Sequence, residues 1–94
     1  MNTTHRYVIN QEVTVNSLYF RNAHEGRREI KAFPRRMVYG GREYTFIESG
    51  LRYLMRKGQQ VLQVFDMTDG NHLFRLKFNP GEQQWVLVGM RDAI

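Results

Sequence analysis

The chain has 94 residues, one domain's worth, of which 41% are hydrophobic and 24% charged. That is an ordinary globular composition, so disorder over most of its length is excluded. It has no cysteine, so disulfides and thiolate metal sites are excluded, and its formal charge is +5 with a pI near 10.0.

No stretch approaches 18 consecutive apolar residues, so no membrane-spanning helix is expected. The first residues carry no apolar core of a secretory signal, and a cytoplasmic location is expected. The charge is unevenly laid out. Residues 21–57 hold ten Lys/Arg against four acids, a net of +6, while residues 58–94 are close to neutral at −1. Clustered cations in a chain of high pI are the electrostatic footprint of a polyanion binder.

Residues 1–6 are polar and are expected to fray. From Tyr7 onward the dominant pattern is alternation of apolar and polar residues, the period of a strand. Glu12–Val15 and Leu18–Phe20 mark an N-terminal strand, Asn22–Gly26 a loop, and Arg28–Phe33 a weaker strand with Ile30 and Ala32 on one side.

The run FPRRMVYGGREYTF, residues 33–46, reads as a hairpin. Pro34 has no N–H to donate and belongs at a strand start or edge. Gly40-Gly41 supplies the two positive φ angles of a tight turn. With that pair as the loop, Tyr39 opposes Arg42, Met37 opposes Tyr44 and Arg35 opposes Phe46, all on one face. Arg36, Val38, Glu43, Thr45 and Ile47 share the other. If the ring-bearing face looks outward, it is a stacking platform flanked by guanidinium groups. If it looks inward, as large aromatic side chains usually do, the rings are core and the arginines reach out at the hairpin ends.

Residues 49–58, SGLRYLMRKG, fit two patterns. Ser49 in an N-cap position, Leu51, Leu54 and Met55 at helical spacing, late cations and a stopping Gly58 favour a short helix over about 50–57. Alternation of Leu51, Tyr53 and Met55 would make it a strand instead. Arg52 and Arg56 lie on the same side in either case.

Val61–Met67 and His72–Phe78 alternate strongly around Asp69-Gly70, a tight-turn signal. With Asp69-Gly70 as the loop, Phe65 opposes Phe74; with Gly70-Asn71, the register moves by two and the same side chains keep the same face. Val61, Phe65, Met67, Phe74, Leu76 and Phe78 form that apolar face. Leu62, Val64, Arg75 and Lys77 form a mixed opposite face. Asn79-Pro80-Gly81-Glu82 reads as a turn, and Gln84–Met90 as the last strand. The expected fold is mainly β: a small antiparallel twisted sheet or half-open barrel of five to six strands, with at most one short helix.

No catalytic motif is present. His5, His24 and His72 stand outside metal-ligand spacing of one another, and Asp66–Asn71 lacks the ligand alternation of a calcium loop. No cofactor and no metal are expected. The remaining constellation is basic and aromatic, the pairing of charge and stacking surface that binds single-stranded nucleic acid. The expected site comprises Arg35, Arg36, Tyr39, Arg42, Tyr44, Arg52, Arg56 and Lys57, in a non-catalytic module for RNA or single-stranded DNA. The alternative is a protein-interaction domain that uses a sheet edge or the mixed face.

PRRMVYGGREYTF, followed by LFRLKF and WVL, resembles small bacterial β-rich domains of unknown function over residues 33–88. The resemblance implies a small β fold of bacterial origin. It implies no activity and no site residue.

Overall fold

The computed structural model describes residues 7–22 and 29–93. They form seven strands: β1 (Tyr7–Asn22), β2 (Glu29–Tyr39), β3 (Arg42–Thr45), β4 (Glu48–Lys57), β5 (Gln60–Thr68), β6 (His72–Asn79) and β7 (Gln84–Asp92). All pairings are antiparallel, and the sheet runs β3-β2-β1-β7-β6-β5-β4. The expected class is therefore the observed one, with seven strands in place of five to six.

The two outermost strands, β3 and β4, are consecutive in the chain, and only Phe46 and Ile47 separate them. A flat sheet cannot satisfy that link. The Phe46 amide donates to the Arg35 carbonyl of β2 at 2.9 Å, and the next amide, Ile47, donates to the Thr68 carbonyl of β5 at 2.9 Å. Neighbouring residues thus tie opposite ends of the sheet, which curls into a half-barrel. Bulges assist the curl. Register shifts lie in β1 between Val8 and Gln11, where Asn10 has φ 51°, and in β4 between Ser49 and Arg52.

The concave face holds the core: Val13, Met37, Tyr44, Phe46, Phe65, Met67, Phe74, Leu76, Phe78, Trp85 and Leu87. Its rings form two groups. Phe65, Phe78 and Trp85 stack with centroids 4.6–5.5 Å apart. Tyr44 and Phe46 meet Phe74 edge-on at 5.3 and 5.2 Å. Each such pair adds about 0.5–1.5 kcal/mol beyond its area.

The Gly40-Gly41 hairpin has the expected register, Tyr39 with Arg42 and Met37 with Tyr44. Its glycines have φ of 59° and 75°, and a Cβ at either would meet no atom within 4 Å. Substitution there costs backbone strain alone. Gly41→Ala is expected to lower unfolding stability by about 1–2 kcal/mol in denaturant titration.

The β5–β6 turn takes the second of the two registers, Met67 with Phe74 and Phe65 with Leu76. The Asp69 side chain explains the choice. Its carboxylate accepts from the Asn71 amide at 2.9 Å, the His72 amide at 2.7 Å and the His72 ring at 3.2 Å, closing a loop one residue wider on each side. Partial burial works against the Asp69 charge, but those hydrogen bonds and the nearby His72 outweigh it and hold its pKa below the ordinary carboxylate value. A depressed folded-state pKa gives stability that is present above the unfolded value, roughly 3.9, and lost as pH falls through the folded one. Asp69→Asn is therefore expected to flatten the fall in melting temperature below about pH 4, measured by circular dichroism.

The short helix expected over about 50–57 is instead β4. An isolated helix of eight residues bears the full nucleation cost with few bonds to repay it. Pairing with β5 offers a ladder from Glu48–Thr68 to Lys57–Gln60. Gly58, φ 62°, is compatible with both structures. The positive φ that would stop a helix also makes the two-residue turn into β5. The N-terminal strand is also longer than expected, because β1 changes partner: residues 7–13 pair with β7 and residues 14–22 with β2. Of the loop expected at 22–26, Asn22 ends β1, and the rest, with residues 1–6, lies outside the described residues.

Candidate interaction surface

The hairpin turns its ring-bearing face inward. Tyr44 is 8% exposed, Phe46 8% and Met37 fully buried, while Tyr39 is half-buried. The rings of the basic–aromatic run are thus core, and the outward stacking surface is not formed by them.

The cations of the expected site separate. Arg42 is exposed and lies over the Tyr44 ring, 5.6 Å from its centroid. Arg36, on the convex face, approaches Glu43 at 4.0 Å. Arg35 is exposed at a β2 bulge: Asn16 pairs Arg36 and Ser17 pairs Pro34, so Arg35 is the extra residue. Arg52 lies over the Phe33 ring at 4.6 Å and the Phe65 ring at 5.2 Å. It thereby bridges β4 and β2 across the open side of the half-barrel. Arg56 and Lys57 are exposed at the end of β4. Among the described residues none of Arg35, Arg42, Arg52, Arg56 and Lys57 has a carboxylate partner.

The least expected feature is β4 itself. All ten of its residues are exposed. They include Leu51 at 71%, Leu54 at 69%, Met55 and Tyr53. The strand order places β4 at the end of the sheet, where among the described residues it pairs with β5 alone. Its opposite edge of N–H and C=O groups has no strand beside it among the described residues. A long, exposed, apolar edge is what natural sheets otherwise avoid by covering, shortening or charging it.

The two faces of β4 differ. Arg52 opposes Phe65, Leu54 opposes Gln63 and Arg56 opposes Val61 on the concave side. Tyr53 opposes Val64, Met55 opposes Leu62 and Lys57 opposes Gln60 on the convex side. Leu62 and Val64, expected on a mixed and partly covered face, are buried there. Val64 lies between Tyr53 and Lys77 in the ladder.

At the Gly50–Leu51 bulge, β4 adjoins a groove of about 560 Å3 lined in part by Val8, Leu51, Asp66, Leu73, Arg75 and Val88. Its origin lies in the register. Asp66, Arg75, Gly89 and Val8 form one row across four strands, and Gly89 contributes no side chain to its middle. Arg75 is fixed in the row by a two-pronged bond to Asp66, 2.9 and 3.2 Å.

His72 has Asp69 Oδ2 at 3.2 Å from Nδ1 and Asp92 Oδ1 at 4.0 Å from Nε2. The first contact closes the β5–β6 turn, and the second reaches the end of β7. Among the described residues no cluster of His, Asp and Glu could hold a metal ion. Among the described residues no helix is long and apolar enough to cross a membrane.

The sequence reading missed Leu51, Tyr53, Leu54 and Met55 as surface. No local signal separates them from a helical stripe: Gly58 would end a helix or turn a hairpin, and pairing of 48–57 with 60–68 decides between the two. Comparison with known protein families, characterised proteins and solved structures finds no match to this chain.

Proposed function

We propose that this protein is a non-catalytic interaction module that binds a protein partner by accepting an extended strand along the free edge of β4. The observation that supports this reading is a ten-residue edge strand exposed throughout, bearing four large apolar side chains and, among the described residues, paired on one side only. Strand addition supplies affinity through main-chain hydrogen bonds and specificity through alternate side chains. Leu51 and Leu54 provide apolar contacts on opposite faces, and Arg52, Arg56 and Lys57 select an incoming strand that carries acids. Selection of displayed extended peptides against the whole chain tests it. Peptides are expected that bind the wild type and fail to bind Leu51→Lys/Leu54→Lys; peptides indifferent to that change would contradict the reading.

Binding of RNA or single-stranded DNA is the second reading. It is favoured by the exposure of Arg35, Arg36, Arg42, Arg52, Arg56 and Lys57, five of them without a carboxylate partner among the described residues. With Tyr44 in the core, the binding energy would come from phosphate contacts. Affinity for a labelled oligonucleotide should then fall with a log–log salt slope of about −0.7 per phosphate neutralised. Absence of binding at low salt removes this reading.

A further inference from the structure

We propose that one strand accepted by the β4 edge is β4 of a second copy of this chain, joined about a two-fold axis at Tyr53. The inference rests on the strand-addition reading and names the occupant of the same edge. It is carried by the charge and face pattern of Glu48–Lys57.

A two-fold axis perpendicular to a sheet pairs two identical edge strands antiparallel and keeps each face on its own side. Opposed residues must therefore come from the same face. The bulge sets the count: Ser49 pairs Met67 and Arg52 pairs Phe65, so Gly50 and Leu51 together stand opposite Asp66. Ser49 and Arg52 thus both lie on the concave side, beside core residues.

With the axis at Tyr53, Arg52 opposes Leu54, and the Gly50–Leu51 bulge opposes Met55. Beyond the bulge Ser49 opposes Arg56 and Glu48 opposes Lys57. Every pair shares a face, and each occurs twice. The register places two Glu48–Lys57 ion pairs at the ends, Leu51–Met55 contacts inside them and Tyr53 against Tyr53 at the centre. No cation stands directly opposite a cation. Moving the axis to Leu54 sets Arg52 against Arg56, and moving it to Arg52 sets that cation against itself. Moving it to Met55 shortens the ladder and leaves Glu48 without a partner. Like charges directly opposed destabilise a ladder, and opposite charges or apolar pairs support it. The strand is thus self-complementary at Tyr53 and penalised on either side of it.

The test uses the full chain. Sedimentation velocity over a wide concentration range is expected to show a monomer–dimer equilibrium. Glu48→Lys and Lys57→Glu should each weaken the dimer roughly two- to thirty-fold, and the double charge swap should restore it. The chain has no cysteine, so Tyr53→Cys introduces a single thiol. Opposed strand residues lie about 4.5–5.5 Å apart at Cα, within disulfide reach. Tyr53→Cys should therefore form a covalent dimer at least ten-fold faster than Val38→Cys, an exposed site on β2. A monomer at every concentration overturns the proposal. So does a dimer unmoved by the charge reversals, or equal cross-linking at positions 53 and 38. A monomer that still binds extended peptides through Leu51 and Leu54 overturns self-pairing alone. A monomer that binds none overturns the strand-addition reading with it.

Discussion

Phe74→Ala is expected to lower the melting temperature of the domain by about 12–40 °C. Phe74 is 2% exposed and touches Tyr44 and Phe46, with the His72 ring 5.8 Å away. Tyr44 is on β3, Phe46 is in the link that closes the curl, and Phe74 lies on the opposite side of the sheet order. Truncating a buried phenylalanine costs about 3–5 kcal/mol through lost transfer energy and the cavity left behind. A chain of 94 residues has roughly 5–14 kcal/mol in total at typical values per residue. The change therefore consumes between about a fifth and all of the stability, and it removes the contact that holds the half-barrel curled. A lost or strongly lowered thermal transition checks it. A melting temperature within a few degrees of wild type would mean that the two ends of the sheet are held together without this contact.

The second large effect is on binding. Leu51→Lys/Leu54→Lys should weaken binding of an extended peptide a hundred-fold or more. Burying a leucine side chain is worth about 1.5–3 kcal/mol, so losing both costs two or more decades of affinity. The same two side chains are 71% and 69% exposed in the free protein, so the folded monomer should change by no more than about 0.5 kcal/mol. The combination discriminates. A surface leucine with no role changes neither property, and a hidden core leucine changes stability first. Isothermal titration with a selected peptide, beside a denaturant melt of the same variant, reads both.

Much of the fold was legible wherever local chemistry and alternation agreed. The Gly40-Gly41 hairpin has one register because only one placement of the glycines satisfies both positive φ angles. The meander of β5, β6 and β7 follows from alternation around turn residues. Legibility failed where two structures share one signal. Gly58 ends a helix or turns a hairpin, and Leu51, Leu54 and Met55 fit a helical stripe as well as a strand. The arbiter was pairing with β5, a tertiary fact. The β5–β6 register needed the Asp69 side-chain hydrogen bonds, which a turn dipeptide does not specify.

The candidate site was less legible for a related reason. Alternation states which residues share a face, but not which face is inside. Arg42 and Tyr44 were rightly placed near each other, yet the curl closed by Phe46 and Ile47 turns the ring inward. Arg52 reaches Phe33 only because the sheet ends approach one another, a contact between strands at opposite sides of the pairing order. The exposed edge of β4 is likewise a property of strand order, since no local feature states that a strand comes last.

Amide hydrogen exchange along residues 48–57, with and without a bound extended peptide, reads the proposed uptake of a strand by the β4 edge at the backbone groups that would make the new bonds. Addition of a strand should slow exchange at alternate amides of β4, those pointing away from β5, and leave the Arg35–Arg42 hairpin unchanged. Protection confined to that hairpin, with β4 exchanging as in the free protein, would rule out strand addition at β4.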